Sequence, residues 1–235
     1  MPKSFFQFKH FTVWHDRCAM KVGTDGVLLG AWVPQGNYRR ILDVGTGTGL
    51  IALMLAQRMP EAKIVGVEID AAASEQAREN VSRTEWADRI EIECCDFRNY
   101  QSDETFNLIV SNPPYFIDAL KCPAEQRSVA RHAGSMNYDL LFRRSASLLH
   151  PDGQICIIIP SEIEKNVTDA AWNHHLYPCR RLRVYTKPGK PCRRVLLAFS
   201  FKESICAEDA LCIESEAQQY TAEYIALTRD FYLKM

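Results

Sequence analysis

The sequence predicts an α/β fold: a mostly parallel, seven-stranded sheet with helices on both faces and a terminal antiparallel hairpin. Three observations predict it. Short apolar runs alternate with helical segments from Ile41 onward. A glycine loop, Gly45-Thr46-Gly47-Thr48-Gly49, follows the first of those runs directly. Late in the chain, Arg181–Tyr185 and Val195–Phe201 read as two strands joined by a loop containing Pro188, Gly189 and Pro191, which is a hairpin signal.

The elements follow in order. Residues 1–22 read as an N-terminal arm with short extended pieces. Thr24-Asp25-Gly26 supplies a cap and opens the apolar stretch Val27–Val33 as a helix, and Pro34 to Asn37 form a turn. Ile41–Val44 is a buried strand, and Leu50–Arg58 an apolar helix stopped near Pro60. Ile64–Ile69 is the second strand, Ala71–Arg83 a helix, Ile90–Cys94 the third strand and Phe106–Val110 the fourth. After the polar segment 116–136 come a helix over Tyr138–Leu149, a turn at Pro151-Asp152-Gly153, a fifth strand at Ile155–Ile159 and a helix over Ser161–Trp172. Beyond the hairpin, Thr221–Leu233 reads as a last helix that packs against the domain. A chain of 235 residues accommodates one such domain, with residues 1–36 as arm and covering helix and 37–235 as the core.

Composition excludes several classes. Hydrophobic residues make up 47% and charged residues 24%, which is ordinary globular usage. No apolar run is long enough for a membrane helix, and Met1–Lys21 lacks the apolar core of a leader, so the expected location is the cytoplasm. The 9 cysteines are odd in number and contain no C-x-x-C pair. Cys94 and Cys95 are adjacent in a strand and point to opposite faces, so reduced, mostly buried thiols are expected. The neighbours His174 and His175 diverge on a helix, so no metal site is expected. Nothing in the sequence signals an oligomer. Net charge is −1, yet charge is polarised along the chain. Arg180, Arg181, Arg183, Lys187, Lys190, Arg193 and Arg194 form a stretch without an acid, whereas Glu203–Glu223 contains acids and no base.

Chemistry concentrates where strands end. Gly45, Gly47 and Gly49 allow a sharp turn and a close backbone approach to a ligand. Their spacing differs from the dinucleotide G-x-G-x-x-G, so a phosphate cradle is disfavoured. Asp43 precedes the loop, and Glu68 near the end of the second strand can accept hydrogen bonds from both hydroxyls of a ribose. S-adenosylmethionine is the nucleoside without pyrophosphate that fits. Asp96, after the third strand, can meet the cofactor adenine; a surface turn is the alternative. Ile69 and Phe97, beside those two carboxylates, complete this candidate cofactor set.

Asn112-Pro113-Pro114-Tyr115, at the end of the fourth strand, is the strongest signal. The two prolines fix two φ angles and remove two donors, leaving a rigid turn with free carbonyls. The Asn112 side-chain oxygen and the Pro113 carbonyl can grip the two N–H bonds of a planar amine such as adenine N6. Their contacts strengthen as positive charge develops on nitrogen. Tyr115 offers a ring on which a base can stack, a contact worth about 1–3 kcal/mol.

The chain resembles class I, Rossmann-like methyltransferases with an (D/N/S)-P-P-(Y/F/W) motif, and among them the bacterial tRNA1(Val) adenine-37 N6-methyltransferases. The more specific resemblance lies in Met20-Lys21-Val22-Gly23-Thr24-Asp25-Gly26-Val27-Leu28-Leu29-Gly30-Ala31-Trp32, in Ala130-Arg131-His132 and in Arg193-Arg194-Val195-Leu196-Leu197. It implies that Lys21, Thr24 and Asp25 border the cofactor pocket, that Glu68 holds the ribose and Asp96 the adenine, and that Asn112–Tyr115 hold the target base. It also implies a tRNA partner. The basic residues Arg180, Arg181, Lys187, Lys190, Arg193 and Arg194 would contact its phosphates, with a solvated hairpin as the alternative. Arg127, Arg131 and His132 would close over the target nucleotide. Other acceptors stay open: a release-factor glutamine, guanine N2 of ribosomal RNA, or adenine in DNA. A cofactor-binding RNA-assembly module without turnover is the reading from another class.

Overall fold

A computed structural model describes residues 4–18, 21–113, 137–216 and 219–235. Strands β3 (Arg40–Val44), β4 (Lys63–Glu68), β5 (Ile90–Cys94), β6 (Phe106–Ser111) and β7 (Leu149–Pro160) pair in parallel, in the order β7-β6-β3-β4-β5. Beyond β7 the sheet turns antiparallel through β9 (Arg194–Ser200), which pairs with β7 and with β8 (Tyr177–Tyr185). The terminal hairpin is therefore present.

The sheet has eight strands rather than the expected seven. The added edge strand, β10 (Ala207–Cys212), runs parallel to β8. Its sequence, AEDALC, buries Leu211 but no other side chain, so it lacks the apolar alternation by which a strand is recognised. What it offers β8 is charge. Arg181 pairs with Glu208 on β10 and with Glu164, Arg183 lies 2.8 Å from Glu164, and Lys187 lies 3.2 Å from Glu214. The polarity seen along the chain thus cancels across the sheet edge.

Central strands read as continuous apolar runs because both faces are covered. On one face Ile41, Ile64, Leu108, Val110, Ile158 and Leu196 pack with α1 (Thr24–Trp32), α2 (Leu50–Arg58) and α3 (Ala71–Ser82). On the other, Leu42, Val44, Val67, Ile109 and Ile157 pack with α4 (Tyr138–Leu148) and α5 (Glu164–Trp172). A 3-10 turn at Ser161–Ile163 precedes α5, where a single helix from Ser161 is expected. The strand β7 starts at Leu149, earlier than expected, and its register shifts against β6 between Phe106 and Leu108. That irregularity absorbs the Pro151-Asp152-Gly153 turn.

The expected cap of α1 differs. Gly23, extended, is the cap and makes no side-chain bond, and Thr24 is already helical. Asp25 turns instead to Arg194, with its Oδ2 2.8 Å from the Arg194 Nε. The arm forms a small hairpin, β1 (Phe5–Gln7) with β2 (Thr12–Trp14), and bridges from Phe8 to Tyr232 near the other end of the chain. The rings of Phe8, Phe11, Trp86 and Tyr232 lock both ends to the first core. Beyond a short pair of strands, β11 (Glu214–Glu216) and β12 (Gln219–Tyr220), lies α6 (Ala222–Thr228), shorter than the expected helix. Thr221 caps it by accepting a bond from the Tyr224 N–H. Of the eight described cysteines only Cys156 is buried, so the expectation of mostly buried thiols fails. Among the described residues, no helix is long and apolar enough to cross a membrane.

Candidate active site

The chain leaves β3 for β4 and β5 on one side and returns to β6 on the other, so a topological switch point lies between β3 and β6. A crevice for ligands opens beyond the carboxyl ends of strands at such a point. Here it is bounded by the two strongest sequence motifs. Val44 is in register with Ser111 on β6 and with Val67 on β4. Hence Gly45 and Asn112 leave neighbouring strands side by side, with Glu68 next across the sheet. Glu68 is in turn in register with Cys94, two residues before Asp96.

The glycine loop is built by its backbone. Gly45, Gly47 and Gly49 have φ of 72°, 56° and 80°, a region that side chains with a Cβ rarely adopt. The N–H groups of Gly45 and Thr46 donate to the Val67 carbonyl at 2.8 and 3.1 Å. A Cβ placed on Gly45 or Gly47 would meet nothing within 4 Å among the described residues, so the loop presents bare backbone to open space. Glu68 accepts from the Gly47 N–H through Oε2 and from the Asp70 N–H through Oε1, both at 2.9 Å. Those two bonds fix the carboxylate beside the loop.

Asp43 lies beneath. It is fully buried, and its Oδ2 accepts from the Thr46 hydroxyl at 2.6 Å and the Ala52 N–H at 3.2 Å. Burial pushes its carboxyl up to about 7 against those two bonds, which favour the charged form. Its Oδ1 is buried without a hydrogen-bond partner among the described residues. An unpartnered buried acceptor under an open glycine loop fits a ligand with a cationic or N–H group. The exposed side chain of Ile69, 65% accessible, offers an apolar surface beyond Glu68. These features fit the amino, ribose and base parts of S-adenosylmethionine.

Other expected cofactor residues are placed as follows. Asp96 is held by Arg98, whose Nε donates to Oδ2 at 2.7 Å and whose backbone N–H donates to Oδ1 at 2.9 Å. The guanidinium holds the Asp96 carboxyl below its ordinary range. Phe97 is buried and stacks on Tyr100 at 6.5 Å, so its ring belongs to the core rather than to a ligand face. Lys21 and Thr24 are exposed at the start of α1. Asn112 is half-buried and Pro113 buried, while the preceding Ser111 hydroxyl donates to the Val44 carbonyl at 2.8 Å and ties β6 to β3. Pro114, Tyr115, Arg127, Arg131 and His132 lie outside the described residues.

The basic stretch is not the uniform free stripe the sequence suggests. Arg180 lies 4.7 Å over the Trp32 ring, and Arg181, Lys187 and Arg194 carry the carboxylate partners described above. Lys190 and Arg193 are exposed.

Two site-building residues escape sequence reasoning. Asn80, fully buried, donates to the Trp14 and Thr48 carbonyls at 2.9 Å each, and its Oδ1 accepts from the Trp14 N–H at 2.9 Å. It binds the arm to the end of the glycine loop. Cys18 follows on that arm, and burial together with Glu68 and Asp70 pushes its thiol up to about 11. A polar residue in mid-helix and a lone cysteine carry no sequence signal for either position.

Comparison with known proteins identifies the family. The family described as methyltransferase small domain matches residues 18–176. A protein of Bacteroides thetaiotaomicron named tRNA1(Val) (adenine(37)-N6)-methyltransferase is 54% identical over the whole of both chains. One of Pectobacterium carotovorum with the same name is 45% identical, covering 98% of this chain and 94% of the relative. Among solved structures, a predicted O-methyltransferase from Agrobacterium tumefaciens superposes with a TM-score of 0.69 at 19% identity, covering 88% of this chain and 96% of that one. This likeness shows a shared methyltransferase fold. With a switch-point crevice, an open glycine loop and full-length relatives of one name, the chain belongs to the methyltransferase small domain family and, within it, to the tRNA1(Val) (adenine(37)-N6)-methyltransferases.

Proposed function

We propose that this protein transfers a methyl group from S-adenosylmethionine to the exocyclic N6 of an unpaired tRNA adenine, adenine-37 beside the anticodon of tRNA1(Val). The carrying observation is the register that sets Asn112 beside Gly45 at the switch point. The relatives' shared name supplies the acceptor.

S-adenosylmethionine, when bound, supplies an electrophilic methyl group. Asp43, Gly45, Gly47, Glu68, Ile69 and Asp96 would hold it, and the family resemblance assigns Lys21, Thr24 and Asp25 to the rim; the open backbone at Gly45 and Gly47 and the Glu68 carboxylate fixed beside it support this reading. The Asn112 side-chain oxygen and the Pro113 carbonyl accept the two N–H bonds of the adenine amine and direct its lone pair into the crevice. Acceptors fixed before the reaction stabilise the charge developing on nitrogen without reorganising. No strong base is required, because a methylated arylammonium is acidic and releases its proton to water. Orientation supplies the remainder of the acceleration. The family resemblance assigns Tyr115, Arg127, Arg131 and His132, which lie outside the described residues, to the target nucleotide. An anticodon-loop adenine is unpaired, so the cost of swinging it out of a stack, a few kcal/mol in a duplex, is reduced.

Transfer of a tritiated methyl group from labelled cofactor to total tRNA, to release factor and to neither discriminates the acceptors. Label on tRNA, recovered as N6-methyladenine, is the expected result. Label on release factor alone, or no transfer, contradicts the proposal.

A further inference from the structure

The loop 186–193 joins β8 to β9, and β9 begins with Arg194 in register with Pro160, the last residue of β7. The loop therefore projects from the same carboxyl edge of the sheet as Gly45 and Asn112. Between it and the end of β10 lies an open cleft of about 690 Å³, within the range that accommodates a nucleoside. Tyr185, Pro188, Pro191 and Cys212 line it together with Lys187 and Lys190, and the lining surface is mainly apolar. The cleft is preformed: Gly189 takes a φ of 72°, and the Lys190 N–H closes the turn on the Lys187 carbonyl at 3.2 Å. Arg193 is exposed at the loop's end, and Lys187 keeps 44% of its side chain accessible despite its bond to Glu214.

An aromatic and proline lining that includes cations, with no acid in the loop, suits a single-stranded nucleic acid: flat bases stack and phosphates are neutralised. Three strand spacings, roughly 14 Å at about 4.8 Å each, separate β8 from β6, a distance that a short run of unpaired nucleotides spans. The geometry points to this cleft as a second RNA subsite, which takes an unpaired nucleotide flanking the target adenine. Its base rests against Tyr185 and the prolines, and its phosphates meet Lys187, Lys190 and Arg193. The inference rests on the reading of the chain as an RNA methyltransferase and adds the contact that selects a loop over an isolated base.

The test measures binding of two single-stranded RNAs, one with the target adenine at its end and one with nucleotides on both sides. The wild type is expected to bind the flanked RNA about tenfold more tightly. Lys187→Ala/Lys190→Ala and, separately, Tyr185→Leu are expected to lose that gain. The lysine pair should also flatten the salt dependence by about 1.4 in log–log slope, the loss of two single-strand phosphate contacts. A wild type without the gain, or variants that keep it, would overturn the subsite. Methyl transfer to tRNA by the wild type is read in parallel. Transfer with the gain intact in the variants defeats the subsite alone, whereas cleft-dependent RNA binding without transfer defeats the methyltransferase reading alone.

Discussion

Asp43 is the residue whose environment makes the sharpest statement about the site. A carboxylate is expensive to bury, and this one has a carboxyl pushed up to about 7 by burial, with one oxygen unpartnered among the described residues. The sign of the consequence is fixed. An acid whose pKa rises on folding binds its proton more tightly in the folded chain, so its contribution to stability is full below the ordinary value of 3.8 and is lost as pH rises through about 7. Asp43→Asn keeps the shape and an acceptor for Thr46 and Ala52 but cannot ionise. In cofactor-free protein, the stability of the wild type relative to Asp43→Asn should therefore fall between about pH 4 and pH 7, measured by urea unfolding. A difference constant over that window would show that Asp43 ionises as readily folded as unfolded. The sequence marks Asp43 only by its place before the glycines; its burial depends on Thr46 and on α2 passing overhead.

At the scale of the element, α1 explains why a helix before the sheet carries two glycines. Gly26 and Gly30 share one face and pack on Leu50 and Met54 of α2. A Cβ on Gly30 would lie 2.7 Å from the Met54 Sδ and 3.0 Å from its Cβ, and Met54 is fully buried. Gly30→Ala gains about 1 kcal/mol of helix propensity. It also overpacks a closed contact, at a cost of about 1–3 kcal/mol. The clash involves a Cβ and not only a flexible tip, so it should win, with a net loss near 1 kcal/mol and a Tm lower by about 2–4 °C. A thermal melt that shows an unchanged or higher Tm would mean that α1 slides freely on α2. The sequence shows this helix but not its partner, because a glycine reads as a weak helix former until the surface against it is known. The cap departs from the expected one for a related reason: Asp25 suits a helix start, but Arg194 claims it from a distant strand.

For the molecule as a whole, the parallel sheet and the order of its motifs were legible in Ile41–Val44, the glycine loop and Asn112-Pro113, and the family in Met20–Trp32 and Arg193–Leu197, because local patterns carry them. The eighth strand was not, since β10 is stabilised by pairing with β8 and by charge rather than by an apolar pattern. For the same reason the basic stretch looked uniform. In space its arginines divide into two kinds, and the division predicts different phenotypes. Arg193→Glu, at an exposed position on the carboxyl edge, should weaken tRNA binding and lower its salt slope by about one. Arg181→Gln should leave the slope unchanged and lower stability, because it leaves Glu164 and Glu208 short of a partner. Equal slopes in both variants would place the RNA elsewhere.

Asn112→Ala removes one of the two acceptors proposed to hold the adenine amine beside the cofactor loop. Single-turnover methyl transfer to tRNA1(Val) should fall by about 100-fold or more, the loss of a preorganised contact to the developing charge. Cofactor affinity, measured by calorimetry on the same preparation, should stay within a few-fold of the wild type. A fall in transfer of less than about tenfold, equivalent to 1.4 kcal/mol, would contradict the role given to Asn112.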